Sequence, residues 1–138
     1  METQIGRHTL RIREPALYHI VMKGDMDADE MRHMIGLVLE VSKGRPHILV
    51  LGDLAEMGSI TPEARKVAAA EGSRLPIRAL AYYRASMLAR ATITLALGAM
   101  RLLSSTDCRF RFFATEAEAS AWIEEQQRAL YPEVPGGE

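Results

Sequence analysis

Residues 47–52 read HILVLG, and after the histidine every position is apolar or glycine. Strand side chains alternate between two faces, so a run that is apolar throughout is apolar on both. Such a strand needs cover above and below. The run therefore predicts an inner strand of an α/β sheet with helices packed on it. The residues that follow, DLAEMGSITPEARK at 53–66, read as an acidic turn, a loop with two hydroxyls and the start of a helix. In open α/β sheets, ligands and regulatory groups gather outside the carboxyl ends of strands. That rule places Asp53, Ser59 and Thr61 where function is expected. The same stretch has no nucleophile elbow, no P-loop and no pair of metal ligands.

The rest of the chain supplies the neighbours. Residues 8–13 (HTLRIR) alternate, Leu10 and Ile12 against Arg11 and Arg13, as a half-exposed edge strand does. Glu14-Pro15 turns the chain into a second strand at 17–23, which Gly24 ends. Met31, Met34, Ile35, Val38 and Leu39 then recur at helical spacing behind Asp25, Asp27 and Asp29, and Gly44 suits the helix's end. Thr61 reads as the N-cap of the next helix, with Pro62 at its first position and Glu63 in its first turn. Its inner face would be Ala64, Val67 and Ala68, and Gly72 would stop it. Residues 77–83 (IRALAYY) predict a fourth strand and are followed by a long apolar helix. Cys108, Phe110 and Phe112 alternate with Arg109 and Arg111 in a fifth. Thr115 and Glu118 form a capping box for a last helix whose inner face is Ala119, Trp122, Ile123 and Gln126.

The order β-β-α-β-α-β-α-β-α predicts an open, mostly parallel five-stranded sheet with an antiparallel edge strand, about four helices and right-handed crossovers. With 138 residues and 48% hydrophobic content, one domain over residues 1–131 is expected, with a disordered tail at 132–138. A formal net charge of -1 gives no global attraction to nucleic acid or to an anionic membrane. The single cysteine, Cys108, cannot form an internal disulfide, and the start METQIGRHTL lacks the apolar segment of a secretory leader. Both suit a cytoplasmic protein. The apolar run at 91–100 sits between Arg90 and Arg101. It is shorter than the roughly 20 residues a span needs, so a helix buried on most sides, and available for a homodimer contact, is expected.

Other clusters carry less. Asp25, Asp27, Asp29 and Glu30 begin like a calcium loop, but Glu30 stands where the turn glycine belongs and Gly36 where the bidentate glutamate belongs. Acids at a helix start are favourable on dipole grounds alone, and neither a metal nor another cofactor is called for. His8, His19, His33 and His47 form no local ligand pair, although His19 and His47 lie in neighbouring strands. Asp107 is the only acid between Arg74 and Thr115, which suits an acidic protein partner or anionic ligand. No helix-turn-helix or aromatic-basic RNA motif accompanies the arginines of that stretch (Arg74, Arg78, Arg84, Arg90, Arg101, Arg109 and Arg111), so a nucleic-acid partner is not expected.

The element order, the strand ending LVLGD, the helix opening SITPEARKVAAA, the strand RALAYY and the closing pair RFRFFATEAEASAWI together resemble the STAS family, in its SpoIIAA-like branch. The resemblance implies an open sheet with helices on one main side and a non-enzymatic switch. In that family a serine opening the second helix is phosphorylated by a kinase partner, which binds the bare form. Asp53 matches the family's acid at the third strand's end. Counted on without gaps, Thr61 falls on the family's aspartate and Pro62 on its serine, and proline cannot take a phosphate. A surviving switch would then use Thr61 or Ser59, with Asp53, Gly58 and Pro62 shaping the docking surface. A second implication is a small anionic or lipid-like ligand held by the same fold. The bland roles are an N-cap for Thr61, a solvated loop serine for Ser59 and a loop cap for Asp53.

Overall fold

The computed structural model describes residues 2–103 and 108–132. Its elements run β1 (Glu2–Ile5), β2 (His8–Arg13), β3 (Leu17–Met26), α1 (Ala28–Val41), β4 (Ile48–Ile60), α2 (Pro62–Gly72), β5 (Ile77–Tyr83), α3 (Met87–Leu103), β6 (Arg109–Phe113) and α4 (Glu116–Leu130). They form one six-stranded sheet in the order β1-β2-β3-β4-β5-β6. The first two pairings are antiparallel and those from β3 to β6 are parallel. The α/β class, the antiparallel edge and the predicted helices are all present. Residues 133–138, which hold nearly all of the expected tail, lie outside the described residues.

The strand count differs from the expected five because β1 precedes the alternating segment. Glu2–Ile5 is an edge strand with one buried residue, Ile5, and so gives almost no hydrophobic pattern. The hairpin signal lies instead in Gly6, whose φ of +60° lets the chain turn back within two residues so that Ile5 faces His8.

A second difference bears on function. The expected loop at 53–60 is a continuation of β4, paired to the far end of β3 as far as Met26 and Ile60. Shifts in pairing after Val21 and after Gly24 break the period of two, so Leu54 and Ile60 are buried without the alternation that marks a regular strand. His8 repairs the ladder there. It is fully buried, its Nδ1 accepts from the Lys23 amide at 3.1 Å, and its Nε2 lies 3.0 Å from the Asp25 carbonyl. Accepting at Nδ1 leaves the proton on Nε2 to donate.

Two layers cover the sheet. Helices α1, α2 and α3 pack in a row on one face, with Ile48, Val50, Leu54, Leu80 and Tyr82 beneath them. Helix α4 lies on the other face over β4, β5 and β6, with Ala119 and Ile123 against Leu49, Leu51, Ala79, Ala81 and Tyr83. The apolar run of β4 is thus covered on both sides, as its composition required. The capping boxes Asp27–Glu30 and Thr115–Glu118 open α1 and α4.

Candidate functional site

Thr61, Ser59, Gly58 and Pro62 come together where the long arm of β3 and β4 ends and α2 begins. The Thr61 hydroxyl accepts from the Ala64 amide at 3.1 Å, and the Thr61 amide donates to the Met26 carbonyl at 3.1 Å. Pro62 takes the first helical position, where its missing N–H costs nothing. The Ser59 amide donates to Asp25 Oδ1 at 2.8 Å. A β-carbon on Gly58 would stand 2.3 Å from that oxygen and 2.9 Å from the Gly24 carbonyl carbon, so only glycine fits. The backbone here is fixed, while Gly58, Ser59 and Pro62 are exposed and Thr61 is half-buried. Thr61's oxygen is committed to the cap. Ser59's hydroxyl faces solvent.

The acids ahead of α1 serve the backbone. Asp25 holds Ser59, Asp27 caps α1, Glu30 accepts from the Asp27 amide at 3.0 Å, and Asp29 pairs with Arg32 at 3.4 Å. Among the described residues no three His, Cys, Asp or Glu side chains are grouped to hold a metal.

Asp53 is set apart from this opening. Six residues of extended chain, up to about 20 Å at ~3.3 Å per residue, separate it from Ser59. Its side chain points to the α4 face, where it is 9% exposed. One oxygen accepts from the Ala55 amide at 3.0 Å, and the other is paired with the Arg84 guanidinium. Arg84 follows β5 in a left-handed conformation, with φ +58°. Its amide donates to the Phe113 carbonyl at 3.2 Å, and its guanidinium lies over the Tyr83 ring at 5.4 Å. The Tyr83 hydroxyl lies 2.8 Å from His19 Nε2. Burial, reinforced by Asp53 and Glu116, pushes the Tyr83 hydroxyl up to about 12. Burial also lowers His19 below its ordinary value; Arg13 and Arg11 act in the same direction, while Glu116 and Asp53 oppose them. Both groups are therefore neutral near pH 7. His19 Nδ1 is buried with no hydrogen-bond partner among the described residues.

The sequence placed Asp53 at an expected end of β4, but the strand runs on to Ile60, and Arg84, Tyr83 and His19 were missed as its company. The signal was the matching end of the neighbouring strand, since Asp53 pairs in register with Tyr83. His19 and His47 do not meet. His19 aligns with Leu51, whereas His47 precedes β4 and binds Tyr131 through its own backbone, its amide donating to the Tyr131 hydroxyl at 3.3 Å.

The α1–α3 side is apolar and loosely filled. A cavity of about 140 Å³ lies between sheet and helices, lined among others by Met22, Met26, Met31, Met34, Met100 and Tyr82. Helix α3 is buried along only one face, through Ala89, Ile93, Leu97 and Met100. The expectation of burial on most sides fails because no element among the described residues covers its outer face. Among the described residues all the large exposed hydrophobics, Met87, Leu88, Leu95, Leu102 and Leu103, belong to it. No helix among the described residues is long and apolar enough to cross a membrane.

No curated protein matches this sequence. A crystal structure of an uncharacterized protein of the DUF3478 family from Shewanella loihica PV-4, with a SpoIIAA-like fold, is similar in backbone. It is 18% identical, covers 89% of this chain and 98% of its own, and has a TM-score of 0.61. At that identity the likeness speaks for the fold alone, and it agrees with the element order and the sheet described above. The sequence itself matches the SpoIIAA-like family over residues 17–124, from the start of β3 into α4, and on that match the chain belongs to the SpoIIAA-like family.

Proposed function

We propose that this protein is a non-enzymatic regulatory module of the kind seen in anti-sigma factor antagonists, and that it docks a protein partner through Gly58, Ser59, Thr61, Pro62 and the exposed side of α2. The observation that carries this reading is the α2 opening. Its backbone is held by Asp25 and Met26 while Gly58, Ser59 and Pro62 stay exposed. A rigid, exposed edge loses little conformational entropy when it is bound. A phosphate on Ser59 would add about −1.5 to −2 charges beside Asp25 and disrupt such a surface by like-charge repulsion. A phosphate on Thr61 would have to displace the N-cap. Asp53 supports the fold at the other face in this reading, and the partner is a kinase-like or other signalling protein.

The test is a pull-down from native extract with wild type, Ser59→Ala and Thr61→Asn, the last keeping a capping oxygen without a phosphorylatable hydroxyl. A partner lost with these variants places docking at the α2 opening. A specific partner retained equally by all of them moves the surface elsewhere, and no specific partner removes the reading.

The methionine-lined cavity favours a second reading, in which the domain holds a small apolar or lipid-like ligand. Methionine side chains adapt to irregular occupants. Native mass spectrometry of freshly purified protein, compared with its denatured mass, should then show a released apolar compound. A match between the two masses would remove this reading.

A further inference from the structure

Leu88, Leu95 and Leu102 are 76%, 73% and 88% exposed and recur every seven residues. Seven residues are close to two helical turns, so the three form one line along α3. Between them stand the exposed Ala91, Gly98 and Ala99, and a β-carbon on Gly98 would meet nothing within 4 Å. Beside this line a groove of about 280 Å³ separates α3 from α2. Ala69, Ala96 and Ala99 floor it, Leu95 and the cations Arg65 and Lys66 form its walls, and it reaches Pro62 at the α2 opening. Across α3, Arg90 lies over Phe112 and Arg101 over Phe110, so these cations face β6 and the groove's own cations are Arg65 and Lys66. Helix α3 has no acid. Of the acids in α2, Glu71 is paired with Arg32 at 3.5 Å and Glu63 stands in the first turn.

We infer that this groove takes an amphipathic helix of a partner protein, one whose apolar stripe is flanked by aspartate or glutamate. The inference rests on the docking reading above and names the chemistry of the partner. A third helix laid between two others needs small floor residues for close approach and large side chains at helical spacing to interlock, and both are present. The cations select acidic flanks. A second copy of this chain fits less well. Its own α3 carries no acid to answer Arg65 and Lys66 of the groove. An anionic bilayer fits less well also, because a fluid surface covers a convex face, and this face is grooved. The net charge of -1 offers no long-range pull toward anionic lipid.

The test is selection of a displayed library of 18-residue peptides on the full chain, followed by binding measured with wild type, Leu95→Glu and Lys66→Glu. The inference expects enriched peptides with Leu, Ile or Met at i, i+3, i+4 and i+7 and with acidic flanks. Leu95→Glu should weaken them about tenfold or more without lowering thermal stability, since the position is exposed. Lys66→Glu should weaken them about threefold, with recovery when a flanking Glu of the peptide becomes Lys. Peptides that ignore Leu95→Glu overturn the inference, as does a selection that yields no acidic helix. Flotation with phosphatidylcholine–phosphatidylglycerol vesicles that is lost in Leu95→Glu overturns it in favour of a bilayer. A dimer by light scattering that is lost in the same variant overturns it in favour of a second copy. If selected peptides ignore Leu95→Glu but fall with Ser59→Ala or Thr61→Asn, the docking module stands and only the occupant is wrong.

Discussion

Against α4 the sheet presents Leu49, Leu51, Ala79, Ala81 and Tyr83; against α1–α3 it presents Tyr18, Met22, Val50, Leu80 and Tyr82. The first set is small and regular, and a line of polar contacts, His19 to Tyr83 and Asp53 to Arg84, runs beside it. The second set is larger, richer in methionine, and leaves a cavity. Helix α4 is held by close contact along its length and by the Tyr131 hydroxyl, which bonds the His47 backbone at its end. The helices opposite rest on side chains that can rearrange. One face therefore supplies a fixed reference, and the other supplies the adaptable surface on which recognition is proposed.

The contrast can be broken most sharply by deleting bulk. Leu51→Ala, 2% exposed and facing α4, should cost about 3–4 kcal/mol in urea unfolding. Met34→Ala on the inner face of α1 should cost less, toward about 2 kcal/mol, because side chains beside a cavity can relax into the space left. Equal losses would mean that the two faces are equally tight. Next in size is Asp53→Ala, which strands the Ala55 amide and frees Arg84, for about 2 kcal/mol. Arg84→Gly should cost less, since it removes the ion pair but relieves a positive φ.

The pH dependence is smaller and tests His19. Its folded value is lowered by burial. Between that value and about 6.5, where the unfolded histidine titrates, the unfolded chain binds more protons. Stability is therefore full above about pH 6.5 and falls as pH drops through the window below it. Thermal melts from pH 7.5 to 5 should show the fall, and His19→Gln should flatten the part of it due to this residue. An unchanged slope in the variant would assign the fall to other groups. Smallest is the α2 cap. Thr61→Ala should cost about 1 kcal/mol and Thr61→Asn close to nothing, while Ser59→Ala stays within about 0.5 kcal/mol in stability even where it abolishes docking.

Most of the fold was legible because its signals are local. The apolar run before Asp53, the helical spacing of Met31 to Leu39, and the Thr115–Glu118 box each depend on residues within a few positions. Strand β1 was not legible, since an edge strand with Ile5 as its only buried residue has no pattern to show. The extension of β4 to Ile60 was hidden for a different reason: bulges break its period, and His8, far earlier in the chain, completes its partner strand. The helix opening was read correctly down to Thr61 as cap and Pro62 as first residue. Asp53 was joined to it because a turn was assumed where the chain runs straight on. Its real neighbours, Arg84 and Tyr83, are brought by strand register, which no single segment encodes.

The strand order β1-β2-β3-β4-β5-β6 has one more consequence. No later strand inserts between earlier ones, so a chain emerging from the ribosome can add each strand to a single growing edge as it appears. Nothing already built need reopen. Helix α4 arrives last, and it closes contacts that reach far back in the chain: Tyr131 to His47 at its end, and Ile123 over the inner strands along its length. Until it docks, Leu49 and Leu51 face water. A nascent chain stalled short of Glu116 would thus display a greasy central strip, of the kind that chaperones recognise, on an otherwise assembled sheet.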